Sequence, residues 1–172
     1  MLSPRMKPLE PPDSHHLSAA AGWLGLGNTA EAGIELEKIA PSFQSHPGVL
    51  AVRLDLHAAA GNWEAAAEVA GTLTRLEPDE PGAWISLAYA TRRKKGGGIA
   101  DARTILIQAG QMFPTEKIIA YNLACYDCQL GDLNGARLWL EKACRLGDPR
   151  KVKQMALQDP DLEPLWSDLR ET

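Results

Sequence analysis

Two cysteines three positions apart are the residues of this chain whose types and spacing are most typical of chemistry. Cys125 and Cys128 form a C-x2-C motif, which in other proteins is a redox pair or half of a zinc site. A structural zinc site needs four ligands, and the sequence contains neither a second C-x2-C nor a suitably spaced pair of histidines. A thioredoxin-like motif needs a strand–helix–strand context, which this sequence does not predict. Because both side chains would lie on one face of a helix, we expect them to line that face as small apolar residues.

The histidines and the glycine run do not indicate a second chemical centre. His15, His16, His46 and His57 are dispersed along the chain, which is the usual pattern of structural or solvated histidines. The glycines at 96–98 are followed by Ile and Ala rather than by Lys and Ser or Thr, so they do not form a phosphate-binding loop. The sequence contains no metalloprotease, serine hydrolase or dinucleotide-binding motif. We therefore expect no catalytic residue, no metal ion and no cofactor, and a protein that is not an enzyme.

Composition and charge exclude several classes of partner. Of the 172 residues, 45% are hydrophobic and 23% are charged, and the formal net charge is −4. Proteins that bind nucleic acid usually carry a basic surplus that neutralises phosphates, so neither DNA nor RNA is expected. No apolar stretch approaches the roughly 18 residues that span a membrane, and no signal peptide is expected at the N-terminus. Three cysteines, an odd and low number, are typical of reduced thiols, and we expect a cytoplasmic protein.

A short phrase that recurs along the chain is the main signal about its fold. Each copy has a glycine and, five positions later, an alanine. The four copies pair Gly27 with Ala32, Gly61 with Ala66, Gly97 with Ala102 and Gly131 with Ala136. The alanines are 34, 36 and 34 residues apart, and such a nearly constant period indicates a repeat architecture.

The physical chemistry of this phrase predicts a helix, a tight turn and a second helix in each unit. Glycine can end the first helix because it adopts the left-handed conformation. Asn28, Asn62 and Asp132 can then cap the second helix, and the alanine lets two antiparallel helices approach closely. The predicted helices span residues 14–26, 29–40, 47–60, 63–76, 80–94, 99–112, 115–130 and 133–146. A further C-terminal helix is predicted by the apolar spacing of Leu162, Leu165, Trp166 and Leu169.

With this period and these residues at fixed positions, the chain resembles the tetratricopeptide repeat (TPR) family. The third unit matches the family pattern best, through Trp84, Leu87, Ala88, Ala102, Leu106 and Pro114. The second unit departs from it by placing Arg53 where a large apolar residue is usual. The resemblance implies an all-α, right-handed superhelical solenoid of four helix-turn-helix repeats with a C-terminal capping helix. The expected domains are a Pro-rich flexible N-terminal tail (1–12), four repeats within 13–146 (about 13–46, 47–80, 81–116 and 117–148) and a capping segment (147–172).

The resemblance also implies where a partner would bind. In proteins of this family the first helix of each pair lines a concave groove that takes a peptide. The matching positions of this chain are Leu17, Ala21, Leu24, Val52, Asp55, Ile85, Tyr89, Arg92, Tyr121, Asn122 and Cys125. Some members hold a peptide's C-terminal carboxylate with Lys, Arg and Asn in this groove, but here only Asn122 fits that pattern, so no carboxylate clamp is expected.

Three functions remain open on the sequence alone. The first is an adaptor or scaffold that binds one protein or peptide partner through the groove, with Tyr89 and Tyr121 as anchors. The second is a small cytoplasmic secretion-type chaperone. The third is a self-assembling scaffold, in which the N-terminal tail or the terminal helix of one copy fills the groove of another. The basic cluster at residues 92–95 either complements the end of a helix dipole or contacts an acidic partner.

Overall fold

The fold is given by a computed structural model that describes residues 7–171; the first six residues of the predicted N-terminal tail lie outside the described residues. Within 7–171 the regular structure is helical, without a β-strand. The α-helices are α1 (Asp13–Gly25), α2 (Thr29–Glu37), α3 (Pro47–Ala59), α4 (Trp63–Leu76), α5 (Pro81–Arg93), α6 (Ile99–Met112), α7 (Lys117–Gln129), α8 (Leu133–Leu146), α9 (Pro149–Ala156) and α10 (Trp166–Glu171). Two 3₁₀ helices span Pro41–Phe43 and Pro160–Leu165. The chain forms two compact units, Met1–Pro78 and Asp79–Thr172.

Glycine turns and polar caps build the helix pairs as the repeated phrase predicts. Four glycines have a positive φ between 70° and 85°, which side chains with a Cβ rarely adopt: Gly27, Gly61, Gly96 and Gly131. Three of these turns are followed by a side chain that accepts a backbone N–H of the next helix: Asn28 from Glu31, Asn62 from Ala65 and Asp132 from Gly135. Each pair therefore turns and restarts through residues that are adjacent in sequence.

The third turn differs in detail from its prediction. The phrase begins at Gly97, whereas the left-handed glycine is Gly96. A Cβ on Gly97 would collide with the backbone oxygen of Thr91, so this position requires glycine because of a close backbone approach. The two additional residues of this unit lengthen the turn and leave the register of α6 intact, since Ala102 is fully buried.

The alanine of the repeated phrase is buried in every helix pair. The four members, each with 0% relative exposure, are Ala32, Ala66, Ala102 and Ala136. In the pairs, α1 packs on α2, α3 on α4, α5 on α6 and α7 on α8. A methyl group at this position lets the two helices of a pair approach closely, and a longer side chain would overpack the contact.

The core of Met1–Pro78 forms where α3 packs against both α1 and α2. One cluster of its buried residues comprises Ala20, Leu36, Ile39 and Val49. Leu9, which precedes α1, packs against this core. Asp13, the first residue of α1, accepts the backbone N–H of Ala40 at 2.7 Å, and this bond ties the start of α1 to the chain that follows α2.

Arg53 has a structural reason for standing where the TPR pattern has a large apolar residue. Its guanidinium donates to the side-chain oxygen of Gln44. The amide nitrogen of Gln44 in turn donates to the carbonyl oxygens of Leu36 and Ile39, at 3.0 and 2.7 Å. Carbonyls at the end of a helix have no intrahelical donor, so Arg53 supports the side chain that caps α2.

In Asp79–Thr172 the helices pack in chain order from α5 to α9. The C-terminal part contains three elements, where the sequence predicted one capping helix. Helix α9 packs on α8, and the 3₁₀ helix Pro160–Leu165 packs on α7. Pro164 interrupts the predicted single helix because proline has no backbone N–H to donate. Leu162 and Leu165 nevertheless enter the core, with 0% and 1% exposure, so the apolar spacing identified buried residues but not their helix type.

Candidate interaction surface

Five of the predicted groove residues belong to Met1–Pro78, where α1 packs on α3. Leu17 and Val52 are half-buried against the core of this unit. Leu24 is also half-buried, whereas Ala21 and Asp55 are exposed. Desolvation raises the pKa of the Asp55 carboxyl above its ordinary value. These positions combine four apolar side chains, three of them half-buried, with one carboxylate.

The other six predicted residues lie on α5 and α7 in Asp79–Thr172. Tyr89, on α5, is the most prominent, because 47% of it is exposed. The guanidinium carbon of Arg93 lies 3.5 Å from the centre of the Tyr89 ring, and Nη1 of Arg93 donates to the Tyr89 carbonyl at 3.1 Å. The ring is thus held against a cation with part of its surface in solvent. Ile85, one turn earlier on α5, is half-buried.

Residues 158–171, named here the return segment, contact three of the predicted groove residues. Nη1 and Nη2 of Arg92 donate to the two carboxylate oxygens of Asp161, at 2.6 and 3.2 Å. Such a two-point contact between guanidinium and carboxylate is a strong, directional form of hydrogen bond. Hydrogen bonding to Asp161 raises the pKa of Arg92. The guanidinium also lies 5.4 Å from the centre of the Tyr126 ring.

Asp159 of the return segment accepts two hydrogen bonds from α7. The hydroxyl of Tyr121 donates to Oδ2 of Asp159 at 3.1 Å, and the thiol of Cys125 donates to the same oxygen at 3.5 Å. Burial, followed by the nearby Asp159 carboxylate, raises the pKa of both the Tyr121 hydroxyl and the Cys125 thiol. Because the thiolate is the reactive form of cysteine, Cys125 is held in its unreactive form.

A fourth donor on the same side belongs to Gln129, whose side-chain nitrogen donates to the backbone oxygen of Asp161 at 3.1 Å. The segment is also anchored by its two buried leucines, and the indole N–H of Trp166 donates to the carbonyl of Ala156 at 2.8 Å. The return segment therefore covers the part of the predicted groove formed by Arg92, Tyr121 and Cys125.

Other predicted residues of this surface keep part of their area exposed. Ile118, on α7, is 38% exposed, and Asn122 is half-buried. The spacing along α7 places Ile118, Asn122 and Cys125 on one face, and the spacing along α5 places Ile85, Tyr89 and Arg92 on another. Both faces flank the return segment, since Arg92 and Cys125 each contact it. We name the set Ile85, Tyr89, Arg92, Ile118, Tyr121, Asn122 and Cys125 the α5–α7 face.

The C-x2-C motif belongs to the packed interior of the same unit. Cys125 and Cys128 are both free thiols with 4% exposure. Burial raises the pKa of Cys128 as well. Within residues 7–171, the side chains of His, Cys, Asp and Glu form no group of three that could hold a metal ion. Every helix in that range is too short or too polar to cross a membrane.

Asp127, between the two cysteines, is a buried charge that the sequence analysis did not single out. It is 1% exposed, and its carboxylate accepts hydrogen bonds from Nε and from Nη2 of Arg103, the second at 3.3 Å. A Cβ on Gly135 would lie 2.7 Å from Oδ2 of Asp127, so glycine leaves room for this carboxylate. The signal in the sequence was the single acidic residue of α7, but its partner lies 24 positions away.

Sequence analysis also missed the residues that cover the α5–α7 face. Asp159 accepts a hydrogen bond from Tyr121, which lies 38 positions earlier in the chain. Asp161 accepts one from Arg92, which lies 69 positions earlier. The available signal was the acidic pair itself, which precedes two leucines at helical spacing. The sequence analysis predicted a helix from those leucines and assigned the aspartates no partner.

Helix pairs with left-handed glycine turns, polar caps and a buried alanine in each contact define a TPR-type fold. A solved structure of a thermophilic TPR protein from Thermus thermophilus is similar to this chain, with a TM-score of 0.69. The similarity covers 91% of this chain and 82% of that chain, at 19% sequence identity. The predicted all-α, TPR-like fold is therefore confirmed, and a likeness at this identity concerns the fold alone. No protein-family model and no curated protein matches the sequence.

Proposed function

We propose that this chain is a protein-interaction module that binds a peptide segment of a partner protein on the α5–α7 face. The observation that carries the proposal is the exposed ring of Tyr89, held against the Arg93 guanidinium at 3.5 Å. Tyrosine offers a large apolar area with few rotamers to freeze, and it is enriched among residues that dominate binding energy. An aromatic side chain that is both exposed and held in place is a suitable anchor for a partner.

The surroundings of Tyr89 favour an extended partner over a small molecule. Ile85 and the exposed Ile118 add apolar area, and the Asn122 amide adds a donor and an acceptor. Small-molecule sites are concave and enclose most of their ligand. One depression of this unit lies beside α9, where it is lined by Arg150, Lys153, Gln154, Leu157 and Gln158.

An adaptor or scaffold role agrees with the chemistry of the thiols in this unit. Cys125 and Cys128 are buried, and the pKa of each is raised, so neither is poised to act as a nucleophile at neutral pH. A reducing, cytoplasmic setting is part of the proposal and is supported by the free state of both thiols. Among the described residues, none specifically favours a secretion-type chaperone function.

The test compares two exposed apolar side chains on different helices. A partner is first isolated with the full-length chain and identified, and its affinity is then measured by titration calorimetry. Tyr89→Ala is expected to weaken binding by roughly 30-fold, as expected for loss of about 2 kcal/mol at an anchor. Leu138→Ala, which removes a 66% exposed leucine from α8, is expected to leave the affinity unchanged. Equal affinities for both folded variants and the unmodified chain would refute the proposal.

A further inference from the structure

We infer that the return segment is a replaceable internal ligand, and that the partner segment recognised by the α5–α7 face shares its chemistry. That chemistry is an acidic pair separated by one residue, followed by two leucines three positions apart, as in Asp159, Asp161, Leu162 and Leu165. The inference rests on the proposed function and names the class of partner. A partner of this kind would bind by displacing residues 158–171 from Arg92, Tyr121 and Cys125.

The return segment is not needed to close the end of the helix array. A stack of repeats exposes an apolar end that one amphipathic helix can cover. Helix α9 already packs on α8, and it buries Val152 and Ala156. The chain then continues for fifteen further described residues, and the 3₁₀ helix among them packs on α7. This position lies on the side that the TPR resemblance assigns to ligands.

The segment has little structure of its own to hold it in place. Its first element is a six-residue 3₁₀ helix, although such helices seldom exceed three or four residues. Its second element, α10, also has only six residues, and isolated helices of that length are unstable in water. Pro160 and Pro164 further reduce the number of backbone donors. The segment is therefore ordered by its contacts, and it can detach while the helix pairs remain folded.

The polar contacts between the face and the segment run in one direction. In the hydrogen bonds of the described residues, the donors are the side chains of Arg92, Tyr121 and Cys125 of the face and of Gln129, one turn after Cys125 on α7. The segment supplies acceptors only, namely the carboxylates of Asp159 and Asp161 and one backbone oxygen. Charge-assisted hydrogen bonds of this type are stronger than neutral ones, so the face selects an acidic segment over a neutral or a basic one.

The apolar contacts define the spacing of the ligand. In a 3₁₀ helix, side chains at i and i+3 lie above one another, so Leu162 and Leu165 project to the same side. Both are buried, at 0% and 1% exposure, whereas Glu163 and Pro164 between them are exposed. A partner that replaces the segment must bring two apolar side chains at this spacing in order to refill the space.

A tethered ligand competes with any partner at an effective concentration in the millimolar range. A separate peptide is therefore expected to bind weakly to the unmodified chain. It is expected to bind more tightly to a chain whose return segment has lost its own contacts with the face. Within the segment, Asp159 and Asp161 make polar contacts with the α5–α7 face. Glu163 is exposed, which makes Glu163→Ala a matched control for loss of a carboxylate.

The experiment measures binding of a fluorescein-labelled peptide, residues 158–171, to the full-length chain by anisotropy. The chain carrying Asp159→Ala and Asp161→Ala is expected to bind this peptide at least about ten-fold more tightly than the unmodified chain, because charged hydrogen bonds of the competing segment are lost. The Glu163→Ala chain is expected to match the unmodified chain. A peptide with both aspartates replaced by alanine is expected to bind at least about ten-fold more weakly.

Absence of peptide binding to every chain, with circular dichroism showing each chain folded, would make the segment a fixed part of the core and overturn the inference. If the double variant does not fold, amide hydrogen exchange of the unmodified chain tests the inference instead. The amides of residues 158–171 are expected to exchange faster than those of α7. Equal protection of the two regions would contradict the inference. A stable dimer that the peptide dissociates would contradict it too, because a second copy would then be the occupant. Failure of the proposed function is detected by a different measurement, namely the affinity of the isolated native partner for the Tyr89→Ala chain.

Discussion

The side chains of Arg92 and Asp161, 69 positions apart in the sequence, form a two-point ion pair with donor–acceptor distances of 2.6 and 3.2 Å. The pair connects the last turn of α5 to the return segment. Sequence analysis gave Arg92 two interpretations, a complement to a helix dipole or a contact for an acidic partner. The carboxylate that it contacts belongs to the same chain, which makes this pair the most direct place to test how the return segment is held.

Reversing the charge of Arg92 should loosen the return segment. In Arg92→Glu two carboxylates would face each other, and we expect the free energy of unfolding to fall by about 2 kcal/mol, the value of a charged hydrogen bond in a partly buried setting. Urea denaturation measures the change. Adding Asp161→Arg restores opposite charges and should recover most of the loss. A double variant as unstable as Arg92→Glu would mean that the pair does not hold the segment.

The thiol of Cys125 should report whether the segment is in place. It is 4% exposed and its pKa is raised, mainly by burial and then by Asp159, so labelling with a thiol reagent at pH 8 is expected to be slow. Asp159→Ala should accelerate labelling of a chain in which Cys125 is the remaining cysteine. If Cys125 of the folded chain with Asp159 intact is labelled as fast as in the urea-unfolded chain, the segment does not protect this thiol.

The same thiol predicts how stability depends on alkaline pH. The pKa of Cys125 in the folded chain lies above its ordinary value of 9.0, so the folded state binds this proton more tightly than the unfolded state does. Its contribution is complete below pH 9 and is lost as the pH rises beyond that value. Unfolding curves between pH 8 and 10 are expected to show a smaller decline for Cys125→Ala than for the unmodified chain. Parallel curves would contradict the assignment.

Asp127 should be one of the most sensitive polar positions of the second unit. Its carboxylate is 1% exposed and pairs with Arg103. Breaking a buried pair typically costs about 3–5 kcal/mol, and because Arg103 keeps some contact with water we expect about 3 kcal/mol for Asp127→Ala. Asp101→Ala, at an exposed position in the first turn of α6, should cost less than about 1 kcal/mol. Thermal or urea unfolding of both variants tests this difference.

The buried alanine of the repeat has a matched control two residues away. Ala102 has 0% exposure, whereas Ala100 in the same helix is exposed. Ala102→Leu should overpack the contact between α5 and α6 and lower the free energy of unfolding by about 1–3 kcal/mol. Ala100→Leu should change it by no more than about 0.5 kcal/mol. Similar unfolding midpoints for the two variants would show that the register of α6 is wrong.

The predicted groove remains a prediction, and it rests on the TPR resemblance. That resemblance implies that Tyr89, Arg92 and Tyr121 lie on the sides of α5 and α7 that would line the groove, and helical periodicity, a local property, puts Tyr89 and Arg92 on one face of α5. Neither gave information about the segment that covers Arg92 and Tyr121. The contacts of Asp159 and Asp161 depend on how a later part of the chain returns to α7.

By itself the sequence determined the helix pairs of this protein. A glycine turn such as Gly61, its cap at Asn62 and the buried Ala66 act within six positions of one another, so backbone sterics and hydrogen bonding specify them before any long-range contact forms. Only the tertiary structure decided that α9 closes the array, that the return segment packs on α7, and that Asp127 pairs with Arg103. The hydrogen bonds of the return segment with α7 and of Asp127 with Arg103 join residues at least 24 positions apart in the chain. Even between the consecutive helices α8 and α9, the free energy of the contact comes from burial that arises only when the helices have packed.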